Sequence, residues 1–179
     1  MKKKYLWIGS GVIAASALLL YWANRKTIPD GVTAVSNFEK SKYLGKWYEI
    51  ARFDFRFEKN MSHVTAEYSL NEDGTIRVLN RGYDYKAYKK KYSEGKAKFV
   101  GDENTAMLEV SFFGPFYAGY NVMAIDENYQ YALVCGKNRD YLWLLSRDKT
   151  MPEKIKYDYL KLAKDAGFDI SKLVWTDQL

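Results

Sequence analysis

One cysteine, one histidine and three prolines are all that 179 residues supply of those types. With Cys135 alone there is no intrachain disulfide, and with His63 alone there is no multi-histidine metal site. No metal and no cofactor are therefore expected. Acid is missing from the first 26 residues, whereas Lys2, Lys3, Lys4, Arg25 and Lys26 all fall there. Of the 28 basic residues these five are set apart, leaving 23 against 22 acidic ones. A nearly neutral body lacks the clustered cations that drive nucleic-acid binding, so no nucleic-acid partner is expected. Internal repeats and low-complexity tracts are absent too, and the length suits one domain with an appendage.

That appendage is the one long apolar run. Tyr5 to Ala23 are 19 residues without a charge. As a helix they would span about 28 Å, close to the thickness of a hydrocarbon core. Tyr5, Trp7, Tyr21 and Trp22 sit near its two ends, where interfacial aromatics belong. Residues 1–26 thus read as a membrane anchor or a signal segment, and 27–36 as a polar linker. The three leading lysines orient an anchor with its N-terminus in the cytoplasm and the body on the periplasmic or extracellular side. Export after signal cleavage is the alternative.

Aromatics are plentiful, at 5 Trp, 16 Tyr and 9 Phe. They suit pleated strands and the walls of apolar pockets. From residue 37 to 179 the pattern is one of short alternating runs punctuated by Gly, Asn and Asp. Eight strands are predicted: 46–53, 64–70, 75–81, 91–100, 106–113, 117–125, 129–135 and 141–146. Short connections and the lack of intervening helices favour an antiparallel meander. One helix follows Pro152, with Ile155, Tyr159, Leu162 and Ala163 on its apolar face and Gly167 at its end. The tail 172–175 can add a short strand. An all-β, eight-stranded up-and-down barrel with the helix packed outside satisfies this pattern and removes exposed sheet edges. Such a barrel encloses side chains or one small ligand.

Three phrases are distinctive: Tyr43-Leu44-Gly45-Lys46-Trp47-Tyr48-Glu49-Ile50-Ala51-Arg52, Val110-Ser111-Phe112-Phe113-Gly114-Pro115-Phe116-Tyr117 and Asp140-Tyr141-Leu142-Trp143-Leu144-Leu145-Ser146-Arg147. Together with a degenerate match at Asp126 to Leu133 they resemble the lipocalin family, in its bacterial lipocalin and apolipoprotein D branch. The resemblance implies a calyx that binds a small hydrophobic molecule, a fatty acid or a lysophospholipid, for storage or transport at the cell envelope. It gives Gly45, Trp47 and Arg147 a structural role at the barrel base, with Arg147 stacked on the Trp47 indole. With strand order taken from the family, alternation puts Ala66, Tyr68, Ile76, Val78, Ala97, Val110, Phe112, Met123, Val134, Tyr141 and Trp143 on the ligand-lining face. Asn121 is expected to be a polar member near the mouth.

Bacterial relatives usually attach through an acylated cysteine at the cleavage site, and no cysteine lies near residues 15–25. A lipoprotein is therefore not expected. The partners expected are the lipophilic molecule, the membrane through the N-terminal segment and, as an open alternative, a second copy in a homodimer.

No catalytic residue is assigned, and the chain is not expected to be an enzyme. A lipid-acting enzyme on this barrel and an interaction module with a filled barrel are the rival readings. Cys135 falls on the helix-covered face, which suits an inert buried thiol better than a nucleophile. His63 reads as a surface or mouth residue rather than a haem ligand. Glu49 shares the Trp47 face, where burial would raise its pKa, but no second acid has a comparable place. Lys86 to Tyr92 is either a solvated hairpin or a patch for anionic lipid headgroups. Phe53, Phe55 and Phe57 are core ends or part of the mouth.

Overall fold

Short alternating runs pair here into one closed antiparallel sheet. A computed structural model describes residues 26–56 and 58–178. After a single helical turn, α1 (Lys40–Tyr43), come β1 (Gly45–Phe53), β2 (Met61–Leu70), β3 (Ile76–Asp84) and β4 (Lys89–Phe99). They are followed by β5 (Met107–Phe113), β6 (Phe116–Ile125), β7 (Tyr131–Cys135) and β8 (Leu142–Ser146). The chain ends with α2 (Glu153–Asp165), a 3₁₀ turn (Ile170–Lys172) and β9 (Leu173–Trp175). Successive strands pair in order from β2 to β8. The barrel closes because β1 pairs with both β8 and β2, placing Glu49 opposite Leu145 and Trp47 opposite Ala66. β9 adds itself to the far end of β1, with Ala51 opposite Trp175.

Closure gives the sheet an inside and an outside, and alternation sorts the apolar residues between them. Trp47, Tyr68, Ile76, Val78, Ala97, Leu108, Val122, Val134 and Leu145 pack inward. Ile50, Ala51, Leu133, Cys135, Leu142 and Leu144 pack outward, beneath Tyr159 and Ala163 of α2. β7 and β8 are thus apolar on both faces because both faces are covered. The eight strands and the external helix are those expected, and the tail does form the extra strand.

The local differences have physical reasons. Pro152 caps α2 from outside the helix with extended backbone, ψ 142°, instead of opening its first turn. Leu162 is 39% exposed, and Leu160 packs against the barrel in its place. β3 and β4 run further than expected, to Asp84 and from Lys89, because they pair with each other beyond the point where β5 stops. α1 was not expected: four residues are too few to show a helical period.

Candidate functional site

One end of the barrel is sealed. Gly45 enters β1 at φ +94°, a conformation that favours glycine. Two residues on, Trp47 is fully buried and donates its indole N–H to the Tyr43 carbonyl at 2.9 Å. The Arg147 guanidinium lies 3.8 Å from the Trp47 ring centroid. Its N–H groups fan out to the carbonyls of Lys42, Tyr43, Leu44, Lys46 and Tyr129 at 2.7–3.2 Å. One side chain just past the end of β8 thereby ties α1, the start of β1 and the β6–β7 turn together. Above the plug the Tyr120 hydroxyl bonds those of Tyr43 at 2.6 Å and Tyr68 at 2.8 Å. Burial of these phenols raises their pKa, so they stay neutral.

Toward the other end the inner wall retains solvent exposure. Val110, Phe112 and Trp143 pack against the inner core yet are only half-buried; Ala66, opposite Trp47, is half-buried at the level of the plug. Ala118, opposite Val110 in the β5–β6 register, is exposed. Tyr141 stacks on Trp143 with centroids 6.1 Å apart, and Phe55 meets both rings edge-on at 5.6 and 5.8 Å. Tyr68, Ile76, Val78, Ala97 and Val134 lie on the same inner face but are buried.

Asn121 and Met123 do not join them. Asn121 is fully buried on the outer face, where its amide donates to the carbonyls of Thr27 at 2.8 Å and Gly136 at 3.2 Å. It pins the N-terminal approach to the barrel rather than polarising a mouth. Met123 packs into the helix layer. Register shifts beyond Val110 and between Val122 and Ala124 interrupt an alternation that had been counted as unbroken. The inward residues of β6 are therefore Ala118, Tyr120 and Val122.

Between plug and opening lies a polar layer that sequence alone did not assemble. A shift in the β1–β8 register between Glu49 and Ala51 keeps Glu49 and Arg52 on one side of β1, opposite the inward-facing Leu145 and Trp143. Arg52 is 1% exposed; its Nη1 donates to Glu49 Oε1 at 2.6 Å and to Thr176 Oγ1 at 3.1 Å. Its Nη2 donates to the Glu58 carbonyl at 2.5 Å. Glu58 Oε2 accepts the Trp143 indole N–H at 3.3 Å and lies 3.7 Å from Arg52 Nε. Burial, reinforced by repulsion from Glu49, pushes the Glu58 carboxyl up to about 8. Burial raises Glu49 also, against the pull of Arg52 and Thr176. Glu58 therefore holds its proton at neutral pH, and Glu49 is paired with Arg52. Glu58 is the second acid that no periodicity in the β1–β2 loop could announce.

Other candidates fall outside this interior. Cys135 is fully buried in the helix layer, and burial pushes its thiol up to about 12, which leaves no reactive thiolate. His63 sits exposed in β2 at φ 53°, with its backbone N–H donated to Asp177. Phe53 packs in the helix layer, and Phe57 lies outside the described residues. Among the described residues no three His, Cys, Asp or Glu side chains are grouped to hold a metal ion.

The plugged, eight-stranded calyx agrees with comparison to known proteins. The family model "Lipocalin-like domain" matches residues 38–178. The chain belongs to the lipocalin family. Outer membrane lipoprotein Blc of Citrobacter freundii is 52% identical over 169 residues, covering 93% of this chain and 96% of that one. Apolipoprotein D of Macaca fascicularis is 37% identical over 150 residues, covering 79% and 78%. Insecticyanin from the tobacco hornworm Manduca sexta superposes with a TM-score of 0.69 at 24% identity, covering 84% of this chain and 85% of that one.

The bacterial comparison corrects one expectation. This lipocalin was expected to be held by a transmembrane anchor, or exported after signal cleavage, and not to be a lipoprotein, yet relatives whose match covers 92% or more of it are named outer membrane lipoproteins. That exclusion is withdrawn. An uncharged run of hydrocarbon length is common to export signals and spanning helices, so its hydropathy does not decide attachment. The run itself falls outside the described residues. Among the described residues no helix is long and apolar enough to cross a membrane.

Proposed function

We propose that this lipocalin binds one small lipophilic molecule without covalent chemistry, and that the molecule is an acyl-chain lipid of the fatty-acid or lysophospholipid class. The observation that carries the reading is the uneven burial of the inner face. A closed sheet encloses Val110, Phe112, Ala118 and Trp143, yet these apolar side chains remain accessible, whereas Tyr43, Trp47 and Tyr68 at the plug are buried. Accessible apolar surface inside a closed wall is what a buried hydrocarbon chain would cover. Each methylene taken from water contributes about 0.8 kcal/mol, so affinity should rise steeply with chain length. The polar groups of the Glu49–Arg52–Glu58 layer are hydrogen-bonded to one another and to Thr176 and Trp143, so the layer presents few unpaired polar atoms to an apolar chain passing it.

A lipid-acting enzyme is the rival, and the Glu49–Glu58 pair is what favours it, since paired carboxylates of unequal pKa can serve as acid and base. Against that, Glu49 is already engaged by Arg52 and Thr176, and Glu58 by Trp143. Native mass spectrometry of protein purified from cells tests the proposal. The expected result is a fraction of molecules heavier by the mass of an acyl lipid, released intact on denaturation. A spectrum of bare protein after delipidation and re-exposure to fatty acids and lysophospholipids would refute it; a chemically altered lipid would favour the enzyme.

A further inference from the structure

The open end of the barrel carries two hairpins whose surfaces serve neither the core nor the calyx. The last β4–β5 pair toward the opening is Lys96 with Ser111, whereas β4 continues to Lys89 against β3 alone. At about 3.3 Å per residue the β3–β4 hairpin therefore extends roughly 20 Å beyond its last pairing with β5. From 85 to 92 it reads Tyr-Lys-Ala-Tyr-Lys-Lys-Lys-Tyr, four lysines and no acid. Tyr88 and Tyr92 are each 81% exposed. Asp84 engages Lys91, but among the described residues no ion pair engages Lys86, Lys89 or Lys90. Beside it the β5–β6 turn presents Phe113 at 71% and Phe116 at 78% exposure, the two paired across the hairpin.

We propose that these two hairpins dock the calyx mouth-first onto an anionic lipid bilayer. Lysines near an anionic surface are attracted within a Debye length, tyrosines suit the headgroup zone, and two adjacent phenylalanines can enter the acyl boundary. Charge complementarity names the occupant: a cationic rim with an apolar tip fits a negatively charged bilayer, and an uncharged surface would leave the lysines unused. Docked this way, the opening lined by Trp143 and Phe112 faces the leaflet, so a lipid could pass from bilayer to barrel without crossing water. The docking is independent of whether the calyx is occupied.

The test uses the full-length chain with a nitroxide on Ala87→Cys in the overhanging hairpin, or on Glu127→Cys at the sealed end. Buried Cys135 does not compete for the label. Vesicles of equal phosphatidylglycerol and phosphatidylcholine should immobilise the label at 87 and raise its accessibility to oxygen over a nickel chelate, while the label at 127 stays as in buffer. Each lysine multiplies the docked-to-undocked ratio about fivefold. Lys86→Gln/Lys89→Gln/Lys90→Gln should thus lower the ratio roughly 100-fold, and Phe113→Ser/Phe116→Ser at least tenfold. Pure phosphatidylcholine should give a far weaker response. Equal responses at 87 and 127, equal responses to the two vesicle types, or wild-type docking by the lysine variant would each overturn the proposal. Near-ultraviolet dichroism verifies that the variants are folded. Acyl-chain binding without vesicles, measured on the same proteins, keeps a failure of docking separate from a failure of the calyx.

Discussion

Each half of this barrel is organised around one arginine, and the two are treated in opposite ways. Arg147, at the sealed end, stacks on Trp47 and spreads its N–H groups over five backbone carbonyls. Arg52, in the open half, is set between Glu49 and Glu58. Carbonyls do not titrate, so the sealed end is indifferent to pH and acts as a clamp on chain segments far apart in sequence. Carboxyl groups do titrate, so the open half changes its charge as pH rises through the raised value of Glu58, about 8. The plug is built for stability, and the layer above it trades some robustness for a polar boundary inside an apolar tube.

The largest effect should come from breaking the Arg52–Glu49 pair. Arg52→Ala strands the Glu49 carboxylate in a buried site and should cost about 3–5 kcal/mol, read as a lower urea midpoint. Replacing both partners, Arg52→Met with Glu49→Met, should recover most of the loss, because no uncompensated charge remains. If the double variant is no more stable than the single one, the pair is not the source of the cost. Next, Arg147→Ala should lower stability by about 2–4 kcal/mol, since carbonyls at the base lose charge-assisted donors and the indole loses its stacked cation. Its affinity for an acyl ligand should change less than threefold; a large affinity loss in a stable protein would move Arg147 into the binding site.

Val110→Trp works in the other direction, filling the accessible half while leaving both arginines alone. It should weaken fatty-acid binding at least tenfold, about 1.4 kcal/mol, in isothermal titration, with a melting temperature close to wild type. Unchanged affinity in the folded variant would show that the ligand lies elsewhere. The mildest test concerns Glu58. Its folded-state value of about 8 stands above the ordinary carboxyl value, so between the two the folded protein holds a proton that the unfolded chain has released. Stability conferred by that proton is complete below pH 4.5 and is lost as pH rises toward 8, with a slope of at most about 1.4 kcal/mol per unit. Urea unfolding at pH 5 and 7.5 should show this fall in the wild type and a flatter profile in Glu58→Gln.

Strand count and the covering helix were legible in the sequence because the runs alternate, and the inward direction of Trp47, Tyr68, Val78, Val110 and Val134 followed once the lipocalin resemblance supplied the strand order. The helix-layer position of Cys135 followed from the same alternation. Legibility ended wherever a register shift intervened. Counting by twos through β6 selected Asn121 and Met123 and passed over Ala118, Tyr120 and Val122, because bulges leave no mark in a hydropathy pattern. The same blindness hid the pairing of Glu49 with Arg52, which three-residue spacing in an unbroken strand would place on opposite faces. Glu58 and Thr176 lie outside regular strands, and only the folded chain brings them to Arg52. Exposed aromatics on the rim hairpins were visible as residues, but their common end of the barrel required the topology.

Two of the five tryptophans allow the contrast between the halves to be measured directly. Trp47 and Trp143 each donate an indole N–H, one at the plug and one at the opening. In a ¹H–¹⁵N spectrum of the labelled protein titrated with oleate or a lysophospholipid, the Trp143 indole signal should move in proportion to occupancy. The Trp47 signal should stay in place. A titration in which Trp47 moves while Trp143 does not, or in which saturating lipid moves neither, would contradict the account of a sealed base and a ligand-accepting upper barrel.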